Sequence, residues 1–174
     1  MAGDPRSGAP ADAVPDEVAD RLAILQLEAE YARTWDLRDA AGWAACFTTD
    51  GAFVLGAVGD KPALRFAGTD GLTEFCRRAS GRYEGIHLLA APSLTFAGDD
   101  ARGWVHFQYF DRDRKTEARR QVVGVYAVTY VRTGAARWRM RLRHEQAVIE
   151  GETFAGFPTA EQMWGPDEAD TAPA

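Results

Sequence analysis

The sequence predicts an α+β fold, in which helices from the first half of the chain pack on a curved, mostly antiparallel sheet. Apolar residues recur with helical spacing up to about residue 47, whereas apolar and polar residues alternate along most of the chain after residue 85. The alternating segments are joined by short, hairpin-like connections, so the strands must be antiparallel. Helices gathered before a run of strands are typical of α+β folds.

The first helix has the clearest signal. Asp16 follows Pro15 and can cap its N-terminus. One apolar stripe runs through Val18, Leu22, Leu25, Ala29 and Ala32, and a second lies beside it, through Ile24, Leu27, Tyr31 and Trp35. The polar face carries Asp20, Arg21, Glu28, Glu30 and Arg33. The pattern therefore predicts a helix with a wide buried face.

The remaining elements are shorter or strand-like. We expect a second helix over residues 39–47 and a third over residues 69–80, with strands over 52–55 and 64–66 between them. Four longer strand signals cover residues 85–97, 101–111, 119–132 and 137–149. Residues 111–113 fall in one of the connections, where we expect a solvated turn.

Composition limits the classes of function. The chain has 174 residues, which suits one domain, and its net charge of −6 argues against binding to nucleic acid. Its two cysteines, Cys46 and Cys76, are too few for a disulfide framework, and no Cys/His cluster indicates a structural zinc site. We interpret both as reduced core residues. We expect no metal and no cofactor.

The two ends of the chain differ from the middle. Residues 1–14 and 159–174 are rich in alanine, proline and acidic residues, so we expect flexible tails around one domain over residues 15–158. Neither a signal peptide nor a membrane-spanning segment of roughly 20 apolar residues is evident. We therefore expect a cytoplasmic protein.

Asp36 is the first candidate functional residue. It follows Ala32 by four residues, so it continues the first apolar stripe of the helix. A buried carboxylate needs a partner or a shifted pKa. One interpretation is that Asp36 faces a pocket, and the other is that it lies beyond the helix end and caps the next helix.

Histidines and a tyrosine on the strands are the next candidates. His87 lies among apolar residues and is either a core residue or an acid/base group, which Asp36 could orient and keep charged. His144 shares a face with Trp138 and Met140, so we expect it to point inward, with a position at the rim as the alternative. Tyr126 could bring a hydroxyl to a ligand, and Gly124 on the same face marks either a bend or space for a ligand.

Several short motifs occur together in a fixed order. They are Tyr31-Ala-Arg-Thr-Trp35-Asp36-Leu-Arg-Asp39, Trp43, Phe47-Thr-Thr-Asp50-Gly51, His87, Gly98-Asp-Asp-Ala101, Gly124-Val-Tyr126, Val131-Arg-Thr133 and Trp138-Arg-Met140. With this order and spacing, residues 16–150 resemble SnoaL-like proteins of the nuclear transport factor two-like superfamily. The branch with the most similar pattern includes scytalone dehydratase, bile-acid dehydratases and the β subunits of ring-hydroxylating dioxygenases.

The resemblance implies a cone-shaped α+β barrel, in which three helices from the N-terminal half close a deep apolar pocket. It implies a homo-oligomer, a dimer or trimer. In the dehydratases an Asp at the position of Asp36 and a His at the position of His87 form an acid/base pair. Some dehydratase residues are replaced, because Trp35 and Leu55 stand where tyrosines are expected. A second histidine is missing near Phe110 or Asp111, so the substrate of scytalone dehydratase is not implied.

From these observations we predict a cofactor-independent lyase, isomerase or cyclase that acts on a small apolar molecule of polyketide, terpenoid or aromatic type. Asp36 and His87 would be its catalytic pair. The residues expected to contact the substrate are Tyr31, Trp35, Phe53, Leu55, Tyr126 and His144. The alternative is a non-catalytic protein, either a ligand-binding module or an accessory subunit like a dioxygenase β subunit.

Overall fold

The protein is described from a computed structural model, which covers residues 17–135, 137–150, 153–154 and 157–165. The α+β fold is confirmed, with a curved, open sheet. The helices are α1 (Glu17–Asp36), α2 (Ala40–Ala44), α3 (Gly68–Arg82) and α4 (Ala160–Trp164). The strands are β1 (Phe47–Leu55), β2 (Leu64–Ala67), β3 (Tyr83–Leu89), β4 (Ser93–Ala97), β5 (Asp100–Asp113), β6 (Arg119–Gly134), β7 (Arg137–Glu150) and β8 (Thr153–Phe154).

Helix α1 forms as predicted, but it buries only one of the two predicted stripes. The stripe through Ile24, Leu27 and Tyr31 is buried, whereas Val18 and Leu22 are 76% and 57% exposed. The prediction that the Val18 stripe is buried is therefore wrong for all but its C-terminal end. The predicted polar face is also wrong in two positions, because the acids Asp20 and Glu28 are buried beside the Ile24 stripe.

Arginines from the sheet explain why acids lie inside. Asp20 accepts hydrogen bonds from the Arg132 guanidinium, at 2.6 Å from Nη2, and from Trp138 Nε1 at 3.0 Å. Arg132 holds the pKa of Asp20 below its usual value, against the opposing effect of burial. A charged pair of this kind satisfies a buried carboxylate that hydrophobic periodicity assigns to solvent.

The sheet is mostly antiparallel. Its strand order is β2-β1-β7-β6-β5-β3, with β4 also paired to β5 and β8 to β7. Strand β1 runs parallel to β7, which the hairpin connections alone did not predict. The strand expected over residues 85–97 is divided: β3 and β4 pair with different parts of β5, and Pro92, which lacks a backbone N–H, lies between them.

Two other boundaries differ from the predictions. Helix α2 ends at Ala44, and Phe47 already belongs to β1. Strand β5 continues through residues 111–113, and its residues 111 and 112 pair with Arg120 and Arg119 of β6, so this segment is not a solvated turn. Asp111 and Asp113 are each 5% exposed, and they pair with Arg120 and Arg82, respectively.

Register shifts in the β6–β7 pair bend the long strands. One lies opposite Arg141, between the pairs Thr129–Leu142 and Tyr130–Met140. Such a bulge reverses which side chains of β7 face inward beyond it. A second shift lies beside Gly124, where a Cβ would come within 2.2 Å of the backbone oxygen of Gln146. Gly124 therefore allows close backbone approach at the bend rather than space for a ligand.

Helix α4 lies within the segment from residue 159 that we expected to be a tail. Thr159 and Gln162 form a capping box at its N-terminus, and Met163 and Trp164 are buried against Val125 and Ala127. The predicted N-terminal tail and cap at Asp16, and the tail beyond residue 165, lie outside the described residues. Cys46 and Cys76 are both free and buried, as predicted.

Candidate active site

A cavity of about 290 Å³ lies between the helices and the concave face of the sheet. Aromatic and aliphatic side chains form most of its wall, and a few polar groups interrupt them. The lining residues include Tyr31, Trp35, Phe53, Leu55, His87, Tyr109, Tyr126 and Glu145, together with the charged residues Lys61, Arg120 and Glu150. An apolar wall with few polar groups is typical of a small-molecule site.

Asp36 and His87 are in direct contact beside this cavity. Asp36 Oδ1 lies 2.8 Å from His87 Nδ1, and Asp36 Oδ2 accepts a hydrogen bond from the backbone N–H of His87 at 3.1 Å. The end of α1 is thereby joined to the edge strand β3. Because a carboxylate only accepts hydrogen bonds, Nδ1 carries the proton, and Nε2 of the neutral ring is left as the basic nitrogen.

Aromatic rings surround the imidazole of His87. Tyr109 stacks on it with a centroid separation of 4.3 Å, while Tyr31 and Trp35 contact it edge-on at 6.2 and 6.0 Å. Trp35 Nε1 donates a hydrogen bond to the Tyr109 hydroxyl at 3.3 Å. The His87 side chain is only 6% exposed. These contacts fix the ring plane, as the orientation of a base requires.

Burial lowers the pKa of His87, although the Asp36 carboxylate favours the charged form. The sequence led us to expect that Asp36 would stabilise the charged imidazole, and this effect is present but weaker than that of burial. The ring is therefore neutral at neutral pH, which is the form that accepts a proton.

A buried arginine lies beneath the cavity. Arg143 Nη1 donates to both carboxylate oxygens of Glu28, at 2.7 and 2.9 Å, and Tyr130 donates to Glu28 at 2.7 Å. The guanidinium carbon lies 3.9 Å from the ring centroid of Tyr31 and 3.7 Å from that of Tyr126. Arg143 therefore positions two rings of the cavity wall through cation–π contacts.

Glu145 and Tyr126 bring two neighbouring polar groups to the cavity. They are opposite each other on β7 and β6. The Tyr126 hydroxyl is buried and has no hydrogen-bond partner within the described part of the chain. Burial raises the pKa of Glu145 to about 7 and raises the pKa of Tyr126 well above its usual value.

Two ion pairs accompany the other charged residues of the cavity wall. Lys61 Nζ lies 2.9 Å from Glu150 Oε1, and Arg120 forms a two-point contact with Asp111 at 3.0 and 2.8 Å. Arg120 also lies over the ring of Tyr83. These charges are neutralised by one another, so they leave the cavity suited to an uncharged, mostly apolar molecule.

The structure brings most of the predicted site residues together. Tyr31, Trp35, Phe53, Leu55 and Tyr126 line the cavity, and Asp36 supports His87 from behind. His144 does not line it: its Nδ1 lies 3.2 Å from the backbone oxygen of Met163 in α4. The prediction that His144 points inward is wrong, because the bulge at Arg141 turns it to the other face of the sheet.

Sequence reasoning missed Glu145, Tyr109 and the buried Arg143. The same bulge that turns His144 outward turns Arg143 and Glu145 inward, and strict alternation along β7 cannot reveal it. Tyr109 alternates with Val105 and Phe107 on β5, so its inward direction was available from the sequence.

The described residues lack two kinds of feature, a metal-binding cluster and a membrane-spanning helix. Among residues 17–135, 137–150, 153–154 and 157–165, no group of three or more His, Cys, Asp or Glu side chains could hold a metal ion. Within the same ranges, none of the helices combines the length and apolar character needed to cross a membrane.

Comparison with known proteins places the fold. The family model of the SnoaL-like domain matches residues 16–144. Three solved structures are similar: a function-unknown protein from Mycobacterium tuberculosis, a type 2 hexachlorocyclohexane dehydrochlorinase (LinA), and a candidate scytalone dehydratase from Novosphingobium aromaticivorans. Their sequence identities are 24%, 18% and 16%, and their TM-scores are 0.66, 0.69 and 0.68.

These alignments span most of each chain. They cover 80%, 82% and 82% of this protein, and 76%, 95% and 94% of the respective structures. No curated protein matches the chain. At these identities the similarity shows a common fold, and it does not transfer an activity.

Proposed function

Because this chain belongs to the SnoaL-like family, we propose that it is a cofactor-independent lyase or isomerase that moves a proton on a small, mostly apolar molecule. One observation carries the proposal. Asp36 holds both Nδ1 and the backbone N–H of His87, at 2.8 and 3.1 Å, and the imidazole lines an apolar cavity. Such an arrangement orients a neutral base toward a bound molecule.

The roles follow from the contacts. His87 Nε2 would take a proton from a carbon atom of the substrate, and the resulting imidazolium would be stabilised by the Asp36 carboxylate. The aromatic rings of Tyr31, Trp35 and Tyr109 would hold the apolar part of the substrate. A cavity of about 290 Å³ suits a molecule of one to a few fused rings better than a large one.

Elimination and enolisation both begin with this proton transfer. Two of the similar structures have names that denote elimination, a dehydrochlorinase and a candidate dehydratase. We therefore favour dehydration as the reaction of this protein, with isomerisation through an enol as the related possibility. A polyketide, terpenoid or aromatic intermediate would supply the required apolar body. The homo-oligomer implied by the family resemblance stays a prediction.

Proton exchange tests the proposal without knowledge of the natural substrate. 2-Tetralone is a bicyclic ketone with acidic C–H bonds beside its carbonyl, and NMR follows their exchange in D₂O. We expect the wild type to accelerate exchange about 10²-fold or more over buffer, within the usual range for a positioned base. His87→Ala should abolish the acceleration, and Asp36→Asn should reduce it strongly.

A second histidine provides the matched control. His144→Ala removes an imidazole on the other face of the sheet, so exchange should continue at the wild-type rate. Wild-type exchange in His87→Ala would refute the mechanism. Tight binding of apolar molecules by the wild type, with no exchange of any ketone tested, would favour the rival function of a non-catalytic binding protein.

A further inference from the structure

We propose that Glu145 is a second acid/base residue of the cavity, whose protonated carboxyl donates a hydrogen bond, and during turnover a proton, to an oxygen atom of the substrate. This inference rests on the proposed function of the Asp36–His87 pair. It adds the group that protonates the departing oxygen atom, while His87 takes the proton from carbon. It also specifies the substrate as an apolar molecule with an oxygen acceptor.

The position of Glu145 is the first argument. It lies in the interior of the sheet, between Tyr126 on β6 and Leu55 on β1, and it lines the same cavity as His87. Its backbone oxygen accepts a hydrogen bond from Gly56, and its carboxyl interacts with the Tyr126 hydroxyl but forms no ion pair with the described residues. A bound molecule can therefore reach this carboxyl.

The hydroxyl of Tyr126 is the second, independent argument. It is fully buried in the cavity wall and has no hydrogen-bond partner among the described residues. Buried hydroxyls are almost always paired, because an unpaired one costs about 1–3 kcal/mol. Because this hydroxyl forms no well-aligned hydrogen bond and lies beside a carboxyl that lines the same cavity, both groups are placed to serve a ligand oxygen.

The ring of Tyr31 connects the two ends of the site. Its centroid lies 6.2 Å from that of His87 and 6.0 Å from that of Tyr126. One small molecule lying on Tyr31 can therefore face the imidazole at one end and the Tyr126–Glu145 pair at the other.

The surroundings of Glu145 favour the neutral acid near pH 7. Burial raises its pKa to about 7, and the Glu150 carboxylate adds to this effect, whereas Tyr126, Arg143 and Arg120 act against it. Two of these charged neighbours form ion pairs with other residues, Glu150 with Lys61 and Arg120 with Asp111. Burial lowers the pKa of His87, so the acid and the base coexist in their active forms.

The reaction balances without a co-reactant. His87 Nε2 takes a proton from carbon, and the electron pair of that C–H bond forms the C=C bond. The C–O bond on the neighbouring carbon breaks toward oxygen, which takes the proton of Glu145 and leaves as water. His87 then releases its proton to solvent and Glu145 takes one up. The implied substrate class is a cyclic β-hydroxy ketone or a similar apolar alcohol.

Binding of an acceptor-only probe tests the carboxyl directly. 2-Acetonaphthone can only accept a hydrogen bond, and 2-isopropenylnaphthalene has the same shape with a methylene group in place of the oxygen. We expect ketone affinity to fall by up to about tenfold per pH unit above pH 7 in the wild type, as Glu145 ionises. Hydrocarbon affinity should not change. In Glu145→Gln, whose amide still donates, the ketone should bind without pH dependence.

Two further measurements keep the inference testable if neither probe binds. Infrared difference spectra should show a carboxyl that titrates near pH 7 in the wild type and is missing in Glu145→Gln. In the 2-tetralone exchange assay, the loss of rate above pH 7 should disappear in Glu145→Gln. It should persist in Glu150→Gln, the matched control with a carboxyl already paired to Lys61.

Different results would contradict the role of Glu145 and the proposed function of the Asp36–His87 pair. A Glu145 carboxyl that titrates between pH 4 and 5, or pH-dependent ketone binding that survives in Glu145→Gln, would overturn the second acid. Another contrary result is that Glu145→Gln retains exchange with an unchanged pH profile while His87→Ala loses exchange. That combination would overturn the role of Glu145 and leave the proposed function intact. Exchange retained in His87→Ala would instead refute the proposed function.

Discussion

Arg143→Met should destabilise the protein strongly, because it leaves Glu28 buried without its cation. Arg143 is fully buried and Glu28 is 3% exposed, and removal of one partner of such a pair costs about 3–5 kcal/mol. Loss of the contacts with Tyr31 and Tyr126 adds about 0.5–2 kcal/mol each. Arg143 Nε and Nη2 are buried donors without a partner, so their removal stabilises the variant by about 1–3 kcal/mol each.

The net loss should be about 3 kcal/mol, measured as the free energy of unfolding in urea. The double variant Glu28→Gln/Arg143→Met should recover most of this loss, because the neutral amide can still accept from the Tyr130 hydroxyl. Arg141→Met is the matched control: Arg141 lies on the same strand and pairs with Asp100 at the surface, so its loss should cost under about 1 kcal/mol. A loss below about 1 kcal/mol for Arg143→Met would refute the argument that this pair supports the cavity floor.

Two further stability predictions test the fold with matched pairs. Ile24→Ala should cost about 2–5 kcal/mol in urea unfolding, whereas Leu22→Ala, on the exposed stripe of α1, should change stability by about 0.5 kcal/mol or less. Equal losses would contradict the burial of the Ile24 stripe and the exposure of the Leu22 stripe. Gly124→Ala should lower the melting temperature because its Cβ would meet a backbone oxygen at 2.2 Å, while Gly134→Ala, with no neighbour closer than 3.7 Å, should not. An unchanged melting temperature for Gly124→Ala would contradict the close approach.

Much of the fold was predictable from the sequence, since periodicity reports local structure. Spacing alone predicts the long first helix, the position of Asp36 near the end of that helix, and the later run of strands. Periodicity predicted that both adjacent stripes on α1 are buried, whereas only the Ile24 stripe is. Which stripe is buried depends on Arg132 and Arg143, which lie far away in sequence and bind the acids Asp20 and Glu28.

The candidate site was predictable only in part, for a similar reason. His87 and Tyr126 lie on regularly alternating parts of their strands, so their direction could be inferred. His144 and Glu145 lie beyond a bulge, where one extra residue exchanges the two faces of β7. No local pattern marks this bulge, so the sequence placed the wrong one of these two neighbours in the cavity. The contact between Asp36 and His87 required the family resemblance, because 51 residues separate them.

The state of the His87 ring is the most direct test of the Asp36–His87 pair. Nitrogen-15 NMR of the ligand-free protein distinguishes the two neutral tautomers and follows the titration of the ring. We expect a proton on Nδ1, a bare Nε2, and a pKa below the ordinary value of 6.5, since burial outweighs the effect of Asp36. Asp36→Asn should alter the tautomer balance and lower the pKa further. A proton on Nε2, or an imidazolium that persists at pH 7, would contradict the account of His87 as the base.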